Sequence, residues 1–141
     1  MEELKAALER IIAWTKIKCR LQVAKPEAVY FKEREIWWAH LGANIGFEQD
    51  GRHEGFERQV LSVKKLYGGT LLWALPLTTS EKKGDYHAKL EFEENGKTRL
   101  QWVILAQMRT ISSKRLIRKV RTVSHEDFDR VMGGLKALLD K

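Results

Sequence analysis

Three groups of residues have the types and spacing to act on a phosphate. The first surrounds Arg58, where the stretch Leu41 to Glu57, with its four glycines, meets a β-like run. A guanidinium stays protonated at neutral pH, so an arginine fixed at such a junction suits stabilisation of developing negative charge. Glu48 and Glu57 are near enough in sequence to pair with it. By spacing alone a surface salt bridge is the simpler description. The second group is Thr78-Thr79-Ser80 at a strand end, followed by Lys82 and Lys83. Hydroxyls and ammonium groups together bind phosphate oxygens, although a plain polar turn has the same composition. The third is a span with no carboxylate between Glu94 and Glu126, holding Lys97, Arg99, Arg109, Lys114, Arg115, Arg118, Lys119 and Arg121. So one-sided a segment predicts a phosphate-tracking surface, unless alternating strand residues point the charges apart.

The rest of the chain is close to neutral, because the whole carries 26 Lys and Arg against 19 Asp and Glu, for a net +7. Other chemistries find little support. His40, His53, His87 and His125 show no metal-ligand spacing, and the single Cys19 precludes an intramolecular disulfide or a multi-thiolate zinc site. We therefore expect no metal and no cofactor. No apolar run approaches the roughly 20 residues of a membrane span, and no signal-peptide core is present, which predicts a cytoplasmic protein.

The elements that must position these groups read as follows. Residues 1 to about 25 predict a helix, with Leu4, Leu8, Ile11 and Ile12 on one stripe and Pro26 as its stop. That stripe is too apolar to be left in water, so the helix is expected to pack on the main fold or on a partner, away from Arg58 and Thr78. From Glu35 short runs rich in aromatic and β-branched residues follow: 36–40, 60–66, 71–77, 86–92, 100–106 and 118–123. Asn95-Gly96 marks a tight hairpin, since both positions tolerate positive φ. Five or six short strands in about 90 residues predict a small barrel or a strongly curled sheet. Ser124 then reads as the N-cap of a closing helix, with Phe128, Val131, Met132, Leu135, Leu138 and Leu139 on its apolar face. Trp37 and Trp38 must face opposite sides of their strand, so one is expected near a surface or an interface, with base stacking or packing as its use.

In order along the chain, several segments resemble the MazF/PemK toxins of type II toxin–antitoxin modules. Glu35 to Gly42 and Ile45 to Gly51 are similar to the family's opening strand and Gly-x-Glu-Gln loop. Glu57-Arg58-Gln59-Val60-Leu61 resembles its Arg-Pro-Val strand start, and Pro76-Leu77-Thr78-Thr79 its Pro-x-Thr-Thr strand end. Val103 to Ile111 and Lys114-Arg115-Leu116 resemble its penultimate block. The likeness spans about residues 34 to 139. It departs in three places: Gln59 stands for the usual proline, the loop from Gln49 to Arg58 is longer, and the N-terminal helix has no counterpart.

The resemblance implies an SH3-like β-barrel with a C-terminal helix, here a toxin domain over 34–141 preceded by a helical extension over 1–33. It implies a homodimer, an antitoxin partner with which it binds DNA, and metal-independent cleavage of single-stranded RNA by 2′-hydroxyl attack. By that likeness Arg58 is the main catalytic residue, Thr78 its partner and Glu48 the expected base, with His53 a substitute. Gln49, Thr79, Lys82, Lys83, Gln107 and Arg115 are expected to bind RNA. Two rivals stand beside this reading: a non-catalytic toxin of the same fold aimed at a protein such as gyrase, and a basic nucleic-acid-binding barrel without turnover.

Overall fold

The computed structural model describes residues 1–25 and 29–141, so the expected stop at Pro26 lies outside the described residues. Helix α1 covers Glu2–Val23. Seven strands follow: β1 (Glu35–His40), β2 (Glu57–Leu66), β3 (Leu71–Thr78), β4 (His87–Glu94), β5 (Lys97–Ile104), β6 (Arg109–Ser112) and β7 (Leu116–Thr122). Helix α2 (His125–Leu139) closes the chain. The expected runs are thus present, and β6 is an addition. It is only four residues long, too short for periodicity to mark it.

All pairings are antiparallel, in the order β4-β5-β3-β2-β1-β7. One edge of β3 is shared: Leu71–Ala74 pairs with β6, and Leu77–Thr78 with β5. The mainly-β class with a helix at each end is as read, but the strands form an open sheet, not a closed ring. Closure would need β4 to pair with β7, and α2 packs against β4 instead.

Strand alternation sorts the apolar side chains into two cores. Ile36, Leu61, Val63, Leu75, Leu77 and Val103 pack beneath Val131 and Leu135 of α2. The intervening residues Ala39, Val60, Leu72 and Ala74 pack with Phe31, Leu41, Ile111 and Leu116. Local signals sit where the residue types put them. Asn95 (φ 53°) and Gly96 (φ 75°) make the β4–β5 turn. Ser124 Oγ accepts from Asp127 N at 3.1 Å at the start of α2. Leu139, assigned to the apolar face of α2, is 75% exposed in its last turn.

Helix α1 corrects the expectation most. Leu4, Leu8, Ile11 and Ile12 are 46–67% exposed, whereas Trp14 is buried. Residues 1–9 are exposed throughout, and Arg10 makes the first hydrogen bond from the helix to the rest of the fold, on the loop before β2. Trp14 is the anchor, its ring 5.7 Å from that of Phe56 and stacked under the Arg115 guanidinium at 5.6 Å. Gly42, at φ +91°, accommodates it: a Cβ there would sit 2.5 Å from the Trp14 ring. At the far end of the helix Lys114 Nζ donates to Gln22 O at 3.2 Å. The docked face therefore runs through Arg10 and Trp14 to Gln22, beside the apolar stripe rather than along it.

Candidate active site

Arg58 opens β2 at the end of a loop whose closure leaves one acceptable residue at position 51. Arg52 and Glu57 exchange backbone hydrogen bonds of 2.8 and 2.9 Å, folding the loop back on itself. A Cβ at Gly51 would fall 1.7 Å from Phe56 O, so only glycine fits there. The chain then delivers Arg58, 8% exposed, onto the sheet. Its Nε donates to Asp50 O at 2.6 Å and its Nη1 to Leu77 O at 3.0 Å. Gln49, with its amide oxygen turned toward the guanidinium, accepts from Nη2 at 2.7 Å. Three acceptors thus hold the fork in one orientation. Burial, and then the neighbouring Arg52, push the Arg58 pKa below the usual guanidinium range, with Asp50 opposing. A buried cation beside a second cation is a setting that an anion would relieve.

Arg58 lines a cleft of about 200 Å³ with Trp38, Arg52, His53, Glu57, Gln59, Thr78, Thr79 and Gln101. Thr78, also buried, ends β3, and its Oγ1 accepts from Ser80 N at 3.2 Å. The link between the two is short in the chain: Arg58 bonds the carbonyl of Leu77, the residue before Thr78. Arg58 on β2 and the Thr78-Thr79 pair at the end of β3 therefore line one cleft.

Other expected site residues lie elsewhere. Glu48 lines a neighbouring depression of about 370 Å³ with Asn44, Gln107 and Arg109, not the Arg58 cleft. Its Oε1 accepts from Ile45 N at 2.9 Å, because the tight turn at Ile45–Glu48 directs the carboxylate back onto its own backbone. Gln107 clamps the loop from outside: its Oε1 accepts from Gln49 N at 2.6 Å and its Nε2 donates to Phe47 O at 2.9 Å. Lys82 and Lys83 are exposed on the turn after β3, outside the cleft lining. Arg115 is committed to Trp14 and to His40 O at 3.1 Å, so it supports α1 and does not reach the cleft.

The expected phosphate track is largely dissolved by the fold. Arg109 donates to Leu41 O, Lys119 pairs with Glu35 at 3.0 Å, and Arg118 lies over Trp38 with Glu57 3.9 Å away. Strand alternation sends these charges to different faces, and buried carbonyls and rings take them up. Helix α1 is also nearer the site than expected. Arg10 donates to Gly51 O at 3.2 Å and lies 3.6 Å from the Asp50 carboxylate, one residue's contact from Arg58. It holds the loop without lining the cleft. Sequence reasoning missed Arg52 and Gln101 as cleft residues and noted Gln59 only for the proline it replaces. No local signal in the sequence marks them, because the loop's fold brings Arg52 to the cleft and strand pairing brings Gln59 and Gln101.

An open β-sheet with a closing helix, carrying a loop-held arginine against a strand-end threonine, can bind and polarise an anion. Residues 32–139 match the family of PemK-like, MazF-like toxins of type II toxin–antitoxin systems. The chain belongs to that family. Among solved structures, MazF from Deinococcus radiodurans is similar at 21% identity and a TM-score of 0.64, covering 81% of this chain and all of that one. The toxin MazF-mt6 of Mycobacterium tuberculosis follows at 15% identity and 0.56, covering 76% and 97%. An endoribonuclease in complex with its cognate antitoxin, from a mycobacterial species, is similar at 13% and 0.55, covering 77% and 93%. No curated protein matches the chain in sequence. Among the described residues, no helix is long and apolar enough to cross a membrane.

Proposed function

We propose that this toxin is a metal-independent endoribonuclease acting on single-stranded RNA. The observation that carries the reading is the Arg58 guanidinium, buried, held by three acceptors, and set beside Arg52 and Thr78 in one cleft. In the proposed step the ribose 2′-oxygen forms a bond to phosphorus as the bond from phosphorus to the 5′-oxygen breaks. The 2′-hydroxyl proton passes to a base, and the departing 5′-oxygen takes one up. The products are a 2′,3′-cyclic phosphate and a 5′-hydroxyl. Arg58 and Arg52 stabilise the charge that grows on the phosphorane oxygens, and Thr78 donates to one of them. Arg58, a permanent cation, hydrogen-bonds the departing 5′-oxygen as that oxygen takes up its proton from solvent. Glu57, the carboxylate lining this cleft, takes the base role in place of Glu48.

A partner antitoxin covering the cleft and a homodimeric toxin complete the reading, supported by family membership. The test is incubation of purified protein with a long RNA in EDTA. Discrete fragments ending in 2′,3′-cyclic phosphate support the proposal. Retention of RNA without cleavage would leave a binding module.

A further inference from the structure

A relay of side chains running from Arg121 into the cleft fixes which way one amide points. Arg121 Nη2 donates to Gln101 Oε1 at 2.5 Å, and Gln101 Nε2 donates to Gln59 Oε1 at 2.6 Å. A guanidinium has only donors, so Arg121 determines the orientation of the Gln101 amide. Gln101, 6% exposed, then presents its NH₂ to Gln59 and determines that amide in turn. The Arg121 end is itself pinned, its guanidinium 3.7 Å over the Phe92 ring. Gln59 is left with its oxygen engaged inward, and its Nε2 carries no hydrogen bond among the described residues. It lines the same cleft as Arg58 and Thr78. Beside it in direct register stands Trp38, an aromatic surface in that cleft.

We propose that Gln59, oriented by Gln101 and Arg121, reads one nucleobase next to the scissile phosphate as a hydrogen-bond donor, selecting the keto bases uracil and guanine over cytosine and adenine. This rests on the ribonuclease reading. The exocyclic groups decide it: guanine O6 and uracil O4 accept, whereas cytosine N4 and adenine N6 donate and would face the Gln59 NH₂ donor to donor. Trp38 adds stacking, which every base accepts, so discrimination comes from Gln59 alone.

The test uses the full chain, a random-sequence RNA pool, and sequencing of the 5′-hydroxyl ends. The wild type is expected to enrich keto bases about tenfold at one position beside the cut, the discrimination of a single well-placed base contact. Gln101→Glu accepts from both neighbours, so it turns the Gln59 amide and exposes its oxygen, and the preference inverts toward amino bases. Gln59→Glu, which offers an acceptor directly, shifts the same position in the same direction. The two substitutions reach the Gln59 position by different routes, and the readout is a base ratio, insensitive to a general loss of rate. Cleavage without a keto preference, or with one that persists in both variants, overturns the assignment and leaves the nuclease standing. Failure of the wild type to cleave any member of the pool overturns the ribonuclease reading and this one with it.

Discussion

Arg58 engages three of its five N–H donors with protein acceptors, two of them backbone carbonyls, and keeps the others for an anion. Charge alone therefore does not define the position. Arg58→Lys keeps the cation but cannot bridge Asp50 O, Leu77 O and the Gln49 amide at once, and it should behave nearly as Arg58→Ala. Each is expected to lower RNA cleavage by about 10²–10³, the loss typical of one preorganised donor, in a protein that still melts cooperatively. Near-normal cleavage by a folded Arg58→Ala protein would remove it from the mechanism. Thr78→Val should lose less. The carboxylates separate cleanly: Glu57→Gln should cost about 10²-fold or more if it is the base, and Glu48→Gln several-fold at most. The opposite ranking would return the base role to Glu48 and require the Ile45–Glu48 turn to open.

At the scale of elements, the loop from Leu41 to Phe56 is held from two sides. Gln107 bonds it on one, and α1 grips it on the other through Arg10 and Trp14. A lone helix of this length is marginal in water, so α1 owes its order to that docking. Gly42→Ala places a methyl group inside the Trp14 ring and demands an unfavourable positive φ. It should undock the helix while the two cores of the sheet persist. Faster amide hydrogen exchange in both α1 and residues 41–56 is the expected result, with Trp14→Ala giving the same pattern. Because Asp50 O anchors Arg58, cleavage should fall along with that protection. A helix that served only as a lid would give the reverse, faster cleavage after undocking. Charge reversal at Arg115 should also loosen α1, since it stacks on Trp14.

For the whole molecule, the net charge of +7 overstates the cationic surface available to RNA. Most of the basic residues between β5 and α2 are bound to carbonyls, carboxylates or rings of the protein itself. A track of eight phosphates would give a salt slope of about −6 for a single strand, and a site built on Arg58 and Arg52 only about −1. Filter binding of a non-cleaving variant across salt concentrations distinguishes the two. Acid stability has a definite source at the start of β1. Burial works to raise the Glu35 pKa, but bonds from Lys32 N, Trp37 Nε1 and Lys119 outweigh it and hold the group below its ordinary 4.5. A carboxylate depressed in the folded state contributes stability that is present above its unfolded pKa and is lost as pH falls through the folded one. Urea midpoints should therefore decline below about pH 4.5, and Glu35→Gln should flatten that decline. An unchanged acid limb would exclude Glu35 as its origin.

Periodicity and turn chemistry belong to neighbours in the chain, and those features were legible from the residues: the strand runs, the Asn95-Gly96 turn, the Ser124 cap and the apolar face of α2. The order of the motifs also placed Arg58 and Thr78 in one family pattern, and the sheet brings them to one cleft. Other outcomes depended on contacts between distant segments, which no local pattern encodes. Leu4, Leu8, Ile11 and Ile12 have the spacing of a buried face, yet α1 docks through Trp14 because Gly42 leaves room for its ring. Glu48 stands one residue from Gln49, yet the turn at Ile45 directs it to another depression while Gln49 meets Arg58. The basic run reads as one surface in sequence, and strand alternation divides it among faces and partners. Residue types decided what chemistry this chain can hold. Only the tertiary fold decided which of those residues face a common cleft, because burial and hydrogen-bond geometry assign each side chain a single neighbour among the several its spacing would permit.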